Sequence, residues 1–259
     1  MAGDLGDSHA FVTGGGRGIG LAIAMALGTA GARVTLAGRD GARLDKAALA
    51  LRERKIAVQT VPCDVGDAQS VARAFDVARQ GFDAPDILVN NAGQAESAPF
   101  HRTDPALWQR MIAVNLTGVY LCCHAALPTM LEQKRGRIVN IASTAGLKGY
   151  SYVAAYCAAK HGVIGLTRAL AQETAKTGVT VNAVCPGYTD TDMVADSVAR
   201  IVAKTGRSES EARASLAQEN PQGRLVTPQE VAATVLFLCG AGAAAINGQA
   251  LAVSGGETP

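Results

Sequence analysis

Seven short apolar runs, separated by stretches of helical period, constrain this chain more than any other feature. HAFVT (9–13), RVTLA (33–37), AVQTV (57–61), DILVN (86–90), RIVNIAS (137–143), VTVNAVC (179–185) and QALAVS (249–254) are rich in residues that suit strands. Helical spacing covers 21–31, 41–55, 67–80, about 108–130, the stretch ending at 176, and 228–239. Such alternation predicts parallel βαβ units with right-handed crossovers. No repeat, low-complexity tract or Pro/Gly/Ser-rich linker divides the chain. Residues 1–259 are therefore expected to form one doubly wound, Rossmann-type α/β domain, a length that can bury a sizeable core.

Composition then narrows the function. A hydrophobic share of 48% argues for a packed globular protein, and a net charge of +2 is too small to argue for a nucleic-acid partner. The six cysteines form no CxxC pair and sit among apolar neighbours, which predicts buried thiols in a reducing compartment. The opening MAGDLGDSHA lacks the apolar core of a signal peptide. The stretch 231–246, read as the most apolar, is short and broken by glycines, so no membrane span is expected. A cytoplasmic setting follows as an expectation. His9, His101 and His124 show no ligand spacing, and no metal site is expected.

Between the first strand and the first helix runs TGGGRGIG (13–20). Gly14 suits the strand exit, while Gly18 and Gly20 let backbone approach a pyrophosphate and the helix pack on the sheet. The helix start, with Ile19, offers free amides and a positive dipole end to phosphates. The spacing is GxxxGxG rather than GxGxxG; a plain tight turn would also use glycines, but the strand–helix context favours a dinucleotide. After the second strand, LAGRD puts Gly38 where an NAD site offers an acid to the ribose, and Arg39 follows it. A guanidinium there would grip a 2′-phosphate, and Arg17 adds a second positive charge. Either arginine alone fits a solvated surface; together they favour NADP(H). Asp40 points the other way, though it suits a helix N-cap. Asp64 and Val65 are candidates for the adenine, Asp64 also fitting a simple cap. NNAG (90–93), with Asn91 and Gly93, ends a strand at the ligand crevice.

YCAAK (156–160) puts Tyr156 and Lys160 one helical turn apart with small spacers. Alone it also fits a half-buried tyrosine and a snorkelling lysine. Taken in order, TGGGRGIG, NNAG, Asn115 in MIAVNLTG, Ser143, YCAAK and Pro186–Gly187 resemble the short-chain dehydrogenase/reductase family over nearly the whole chain. The resemblance implies a seven-stranded parallel sheet and a homotetramer whose interface uses the last helix and strand. It implies Tyr156 as proton donor or acceptor, Ser143 as holder of the substrate oxygen, and Lys160 as partner of the phenol and of the nicotinamide ribose. Asn115 would hold a water linking Lys160 to solvent, although it fits equally a buried amide at a helix kink. Lys160 and the positive nicotinamide of the oxidised cofactor are together expected to favour the phenolate of Tyr156. In PGYTDTDM (186–193), Thr189, then Thr191, would contact the carboxamide, and Tyr188 and Met193 the substrate. About 191–220 reads as a substrate lid, or as two packed surface helices. Cys157 and His161 read as structural.

The substrate is a small molecule, and GRIVNIAST, VNAVCPG and GAGAAAINGQALAVSGG resemble 3-oxoacyl thioester reductases, 3-hydroxyacyl-CoA dehydrogenases and aromatic polyketide ketoreductases. Lys134, Arg135 and Lys176 are expected to charge the entrance. Thr177 stands where many carrier-protein-dependent relatives are basic, which favours a CoA thioester or a free ketone over a carrier-bound substrate. The expectation is a 3-oxoacyl thioester. The alternatives are a cyclic, aromatic or steroid-like secondary alcohol, or a non-catalytic NADP-binding regulator.

Overall fold

A computed structural model describes residues 5, 6 and 8–258. Met1–Asp4, Asp7 and Pro259 lie outside the described residues, and with them half of the segment read for a leader.

All seven expected strands form: β1 (His9–Thr13), β2 (Arg33–Gly38), β3 (Val58–Pro62), β4 (Ile87–Asn90), β5 (Gly136–Ile141), β6 (Val179–Pro186) and β7 (Ala250–Val253). They make one parallel sheet in the order β3-β2-β1-β4-β5-β6-β7. Helices α1 (Gly18–Thr29), α2 (Gly41–Arg52) and α9 (Pro228–Cys239) cover one face. Their Ile23, Leu27, Leu44, Leu51, Val235 and Leu238 pack on inward-facing strand residues such as Val12 and Val34. Helices α3 (Ala68–Phe82), α5 (Gly118–Glu132) and α6 (Ala154–Glu173) cover the other face, burying Phe75, Met130 and Val163 against Phe11, Leu88 and Ile138. A sheet buried on both faces needs near-continuous apolar strands, which is why these runs lack the alternation of a half-exposed strand.

Helix starts follow side-chain chemistry. Asp40 caps α2 by accepting from the Arg43 amide at 3.1 Å, as its position suggested. Asp67 and Asp104 cap α3 and α4 (Pro105–Ile112) in the same way. The region 191–220 resolves into α7 (Asp192–Thr205) and α8 (Glu209–Ala217), with a small core of their own formed by Val194, Val198, Ala212, Leu216 and Leu225.

Among the described residues, Pro105–Glu132 is the one helical run long and apolar enough to cross a membrane by length and composition, and the sequence reading did not single it out. It contains a π-helical stretch at Ala113–Thr117, and its inner side carries Met111, Asn115, Val119, Cys122, Ala126 and Met130 into the fold. Cys157 is partly exposed, whereas the other five cysteines are buried; all six are free. His9 is structural: its ring meets the Asp83 carbonyl and the Thr35 hydroxyl, and burial pushes its pKa down to about 4.

Candidate active site

Because all seven strands run parallel, their C-terminal ends share one edge, and sequence neighbours of those ends converge there. One residue just past each of the first six strands lines a single crevice: Gly14, Arg39, Asp64, Asn91, Ser143 and Gly187. The crevice measures about 1880 Å³. That exceeds the roughly 300–1,000 Å³ of an ordinary small-molecule pocket and leaves room for a dinucleotide and a substrate together. It spans the β1/β4 boundary where strand order reverses, the usual ligand position in such sheets.

The glycine loop fits a dinucleotide. Unlike α2, α3 and α4, α1 begins with no side-chain cap, so its first amides remain available to an anion. Gly18 has φ +52°, and a Cβ on Gly20 would lie 2.3 Å from the Gly14 carbonyl oxygen. Both positions therefore exclude side chains. Asn91 fastens the loop from below, its amide nitrogen donating to the carbonyls of Thr13 (3.0 Å) and Gly14 (3.2 Å). The Thr13 hydroxyl accepts from the Asn91 and Ala92 amides, a contact that sequence reading missed. Ile19, Val65, Gly93, Pro186, Thr189 and Thr191 also border the crevice. Asp64 turns one oxygen to the Gly66 amide at 3.0 Å.

The two arginines differ. Arg39 is exposed at the crevice, and Asp40 beside it is committed to α2 through the Arg43 amide and a 2.9 Å ion pair with the Arg43 side chain. Arg17 instead reaches Asp192 at the start of α7, 2.8 Å away, with both side chains more than half exposed. Such a surface pair contributes at most about 1 kcal/mol. Arg17 therefore ties the glycine loop to the start of α7, and among the described residues Arg39 has no ion-pair partner.

At the far end of the crevice, β5 delivers Ser143 and the first turns of α6 deliver Tyr156 and Lys160. The Ser143 hydroxyl is hydrogen-bonded to the Tyr156 phenol, which favours ionisation, but burial outweighs it and pushes Tyr156 up to about 12. Lys160 is 4% exposed; burial pulls its pKa down to about 8. Its ammonium donates to the Ile141 carbonyl at 2.7 Å and lies 5.7 Å from the Tyr156 ring centroid. The expected lowering of Tyr156 by Lys160 is thus not a property of the chain alone, because desolvation dominates both groups.

Asn115 sits behind the crevice wall, fully buried in the π-helical stretch. Its NH₂ donates to the carbonyls of Met111 (2.9 Å) and Gln94 (3.0 Å), and its oxygen accepts from the Gln94 amide. A methyl on Gly93 would lie 3.0 Å from the Asn115 oxygen and 3.8 Å from Lys160 Nζ, so both groups face the same small space. The kink amide is therefore visible, and a position beside Lys160 comes with it. Tyr188 and Met193 line the crevice.

The family profile described as short chain dehydrogenase matches residues 8–201, about three quarters of the chain. The chain is a short-chain dehydrogenase. It is 43% identical to the cis-4-hydroxycyclohexanecarboxylate dehydrogenase of Sinomonas cyclohexanicum over 96% of both chains. It is 40% identical to the acetoacetyl-CoA reductase of Rhizobium meliloti strain 1021 over 96% of this chain and 97% of that one. A crystal structure of an actinorhodin polyketide ketoreductase variant with NADPH superposes with a TM-score of 0.94, at 40% identity and 99% coverage of both. This dehydrogenase is thus an oxidoreductase of ketones and secondary alcohols with a nicotinamide cofactor.

One expectation about the dehydrogenase fails. Lys134 and Arg135 immediately precede β5, whereas Ser143 follows it, so they stand at the opposite edge of the sheet from the crevice. Arg135 is bound there to Asp86 and to the Ser8 hydroxyl, which also precede strands. Lys176 likewise precedes β6. Cations that do line the crevice include Lys148, Arg200 and Lys204. Arg200 and Lys204 lie on the same side of α7 as Met193, at helical intervals, while Val194 and Val198 face α8.

Proposed function

We propose that this dehydrogenase reduces a 3-oxoacyl thioester with NADPH, the acyl group being carried on CoA rather than on a carrier protein. The observation that carries the reaction is the meeting of Ser143, Tyr156 and Lys160 at the end of a crevice large enough for both ligands. Bound there, the nicotinamide cofactor supplies or accepts the hydride. The amides of α1, with Arg39 at a 2′-phosphate, would hold it, along with Asp64, Val65, Gly93, Thr189 and Lys160. Ser143 holds the carbonyl oxygen, and Tyr156 donates its proton as charge develops there. Lys160 keeps a positive charge behind the phenol, and the space it shares with Asn115 suits a water that passes protons onward. α7 and α8 act as the substrate lid, tethered by Arg17–Asp192, a pair weak enough to open.

The protonation states give a direction. Tyr156, at about 12, stays protonated through neutrality, whereas Lys160 loses its charge as pH rises through about 8. Ketone reduction at saturating substrate should therefore hold through neutral pH and decline above about 8, and Lys160→Arg should remove that decline while lowering the plateau. A decline that starts only near 11 would show that Lys160 is not the titrating group.

Arg200 and Lys204 support a phosphate-bearing substrate: no acidic partner is paired with either among the described residues. If they attract CoA phosphates, KM for acetoacetyl-CoA should rise with salt, and Arg200→Glu/Lys204→Glu should reproduce the rise at low salt. A neutral ketone should show neither effect. The second reading, a cyclic or aromatic secondary alcohol, is favoured by the tyrosine-lined wall at Tyr150 and Tyr188. Brisk turnover of a cyclic ketone beside negligible turnover of several 3-oxoacyl-CoA lengths would select it.

A homotetramer and a cytoplasmic setting complete the proposal. β7 is an edge strand with partly exposed residues, and Phe237 on α9 is 52% exposed, so both present apolar surface where the family places its interface. Sedimentation reads the assembly directly. Six free cysteines, five of them buried, suit a reducing compartment.

A further inference from the structure

Glu257, shortly after β7, has a side chain only 1% exposed. A buried carboxylate needs partners, and it has two on one oxygen. Oε1 accepts from the Tyr150 hydroxyl and, at 3.1 Å, from Lys148 Nζ. Because the Tyr150 hydroxyl donates its hydrogen bond to Glu257, its oxygen must accept from the hydroxyl of Thr144, 2.7 Å away and adjacent to Ser143. Burial first, and then the Glu257 carboxylate, hold the Tyr150 hydroxyl well above its ordinary pKa, so it remains a donor.

The same carboxylate reaches the other walls. Its Oε2 faces the turn after β6, where a methyl on Gly187 would come within 2.8 Å of it. The Tyr150 ring meets Tyr188 of that turn edge-on, centroids 6.3 Å apart. Lys148 stands 4.7 Å from the Tyr150 ring centroid and 3.9 Å from Glu219, beyond the end of α8. Lys148, Tyr150, Tyr188 and Glu219 all line the crevice, and Glu257 lies behind them. Oε2 has no hydrogen-bond partner among the described residues. A buried acceptor left unpaired costs stability, and buried ion pairs add little of it. Stability alone is therefore a poor reason for this arrangement.

We propose that Glu257 is a positioning residue that fixes Tyr150 and Lys148 in the substrate wall, and so determines which ketone, and which face of it, is presented to Tyr156. This rests on the Ser143–Tyr156 reading of the site. The test uses the full-length wild type, Glu257→Gln, Tyr150→Phe and the double variant. For each, kcat/KM is measured for acetoacetyl-CoA and for a cyclic ketone, together with the enantiomer ratio of each product and the Kd for NADPH. Each single variant should change the ratio of the two kcat/KM values, or the enantiomer ratio, by about tenfold, and the double variant by no more than the larger single effect. NADPH affinity should not move. Lower thermal stability with unchanged selectivity in the single variants would overturn the proposal and leave a structural ion pair. Tyr150→Phe keeps the ring packing and decides the question alone if Glu257→Gln does not fold. Wild-type enzyme inert towards every ketone would overturn both this role and the function it rests on.

Discussion

Tyr156→Phe should lower ketone reduction by roughly 10²–10⁴-fold while leaving NADPH affinity nearly unchanged. The phenylalanine ring fills the same space, so its packing is kept; only the hydroxyl proposed as proton donor and its bond to Ser143 are lost. Stopped-flow reduction of acetoacetyl-CoA and fluorescence titration with NADPH separate the two effects. Lys160→Ala should damage both, since in the proposed function the lysine backs the phenol and holds the cofactor ribose. Near wild-type turnover by Tyr156→Phe would remove the phenol from the mechanism.

Arg39→Asp should turn cofactor preference from NADP(H) towards NAD(H). The change removes a charge-assisted phosphate contact and adds repulsion, together about 2–4 kcal/mol against the phosphorylated cofactor. Asp40 cannot take over, because it is held by α2. Arg17→Ala should act more weakly on cofactor choice, its guanidinium being engaged by Asp192. Ratios of kcat/KM for NADPH and NADH in the three proteins check this ordering. Equal or better wild-type kinetics with NADH would place the selectivity elsewhere than in the LAGRD turn.

What the sequence made legible is what depends on local chemistry. Alternating apolar runs located all seven strands, because a two-faced buried sheet leaves no other pattern. The glycine loop was readable because positive φ and close backbone approach admit few residue types. Ser143, Tyr156 and Lys160 fell together because each follows a strand end or a helix start by a fixed short distance.

Long-range pairings were not legible. Arg17 and Asp192 are 175 residues apart, Tyr150 and Glu257 107, and no spacing announces either contact. Lys148 and Tyr150 could have been suspected from their place between Ser143 and Tyr156, but Glu257 could not. Lys134 and Arg135 failed for the opposite reason. They are close to Ser143 in sequence, yet a six-residue strand carries its two ends about 20 Å apart. Burial of Tyr156 and Lys160 was likewise invisible from five letters, and in the chain without cofactor it is the largest influence on both groups.

The most direct test of the account is whether purified wild-type protein converts NADPH and a ketone to NADP⁺ and the matching alcohol. NADPH consumption and alcohol formation would be followed together for acetoacetyl-CoA, a cyclic ketone and an aromatic ketone. The account predicts one-to-one consumption and product with at least one of them, lost in Tyr156→Phe. Tight NADPH binding with no alcohol from any of the three would contradict it and leave a nucleotide-binding regulator.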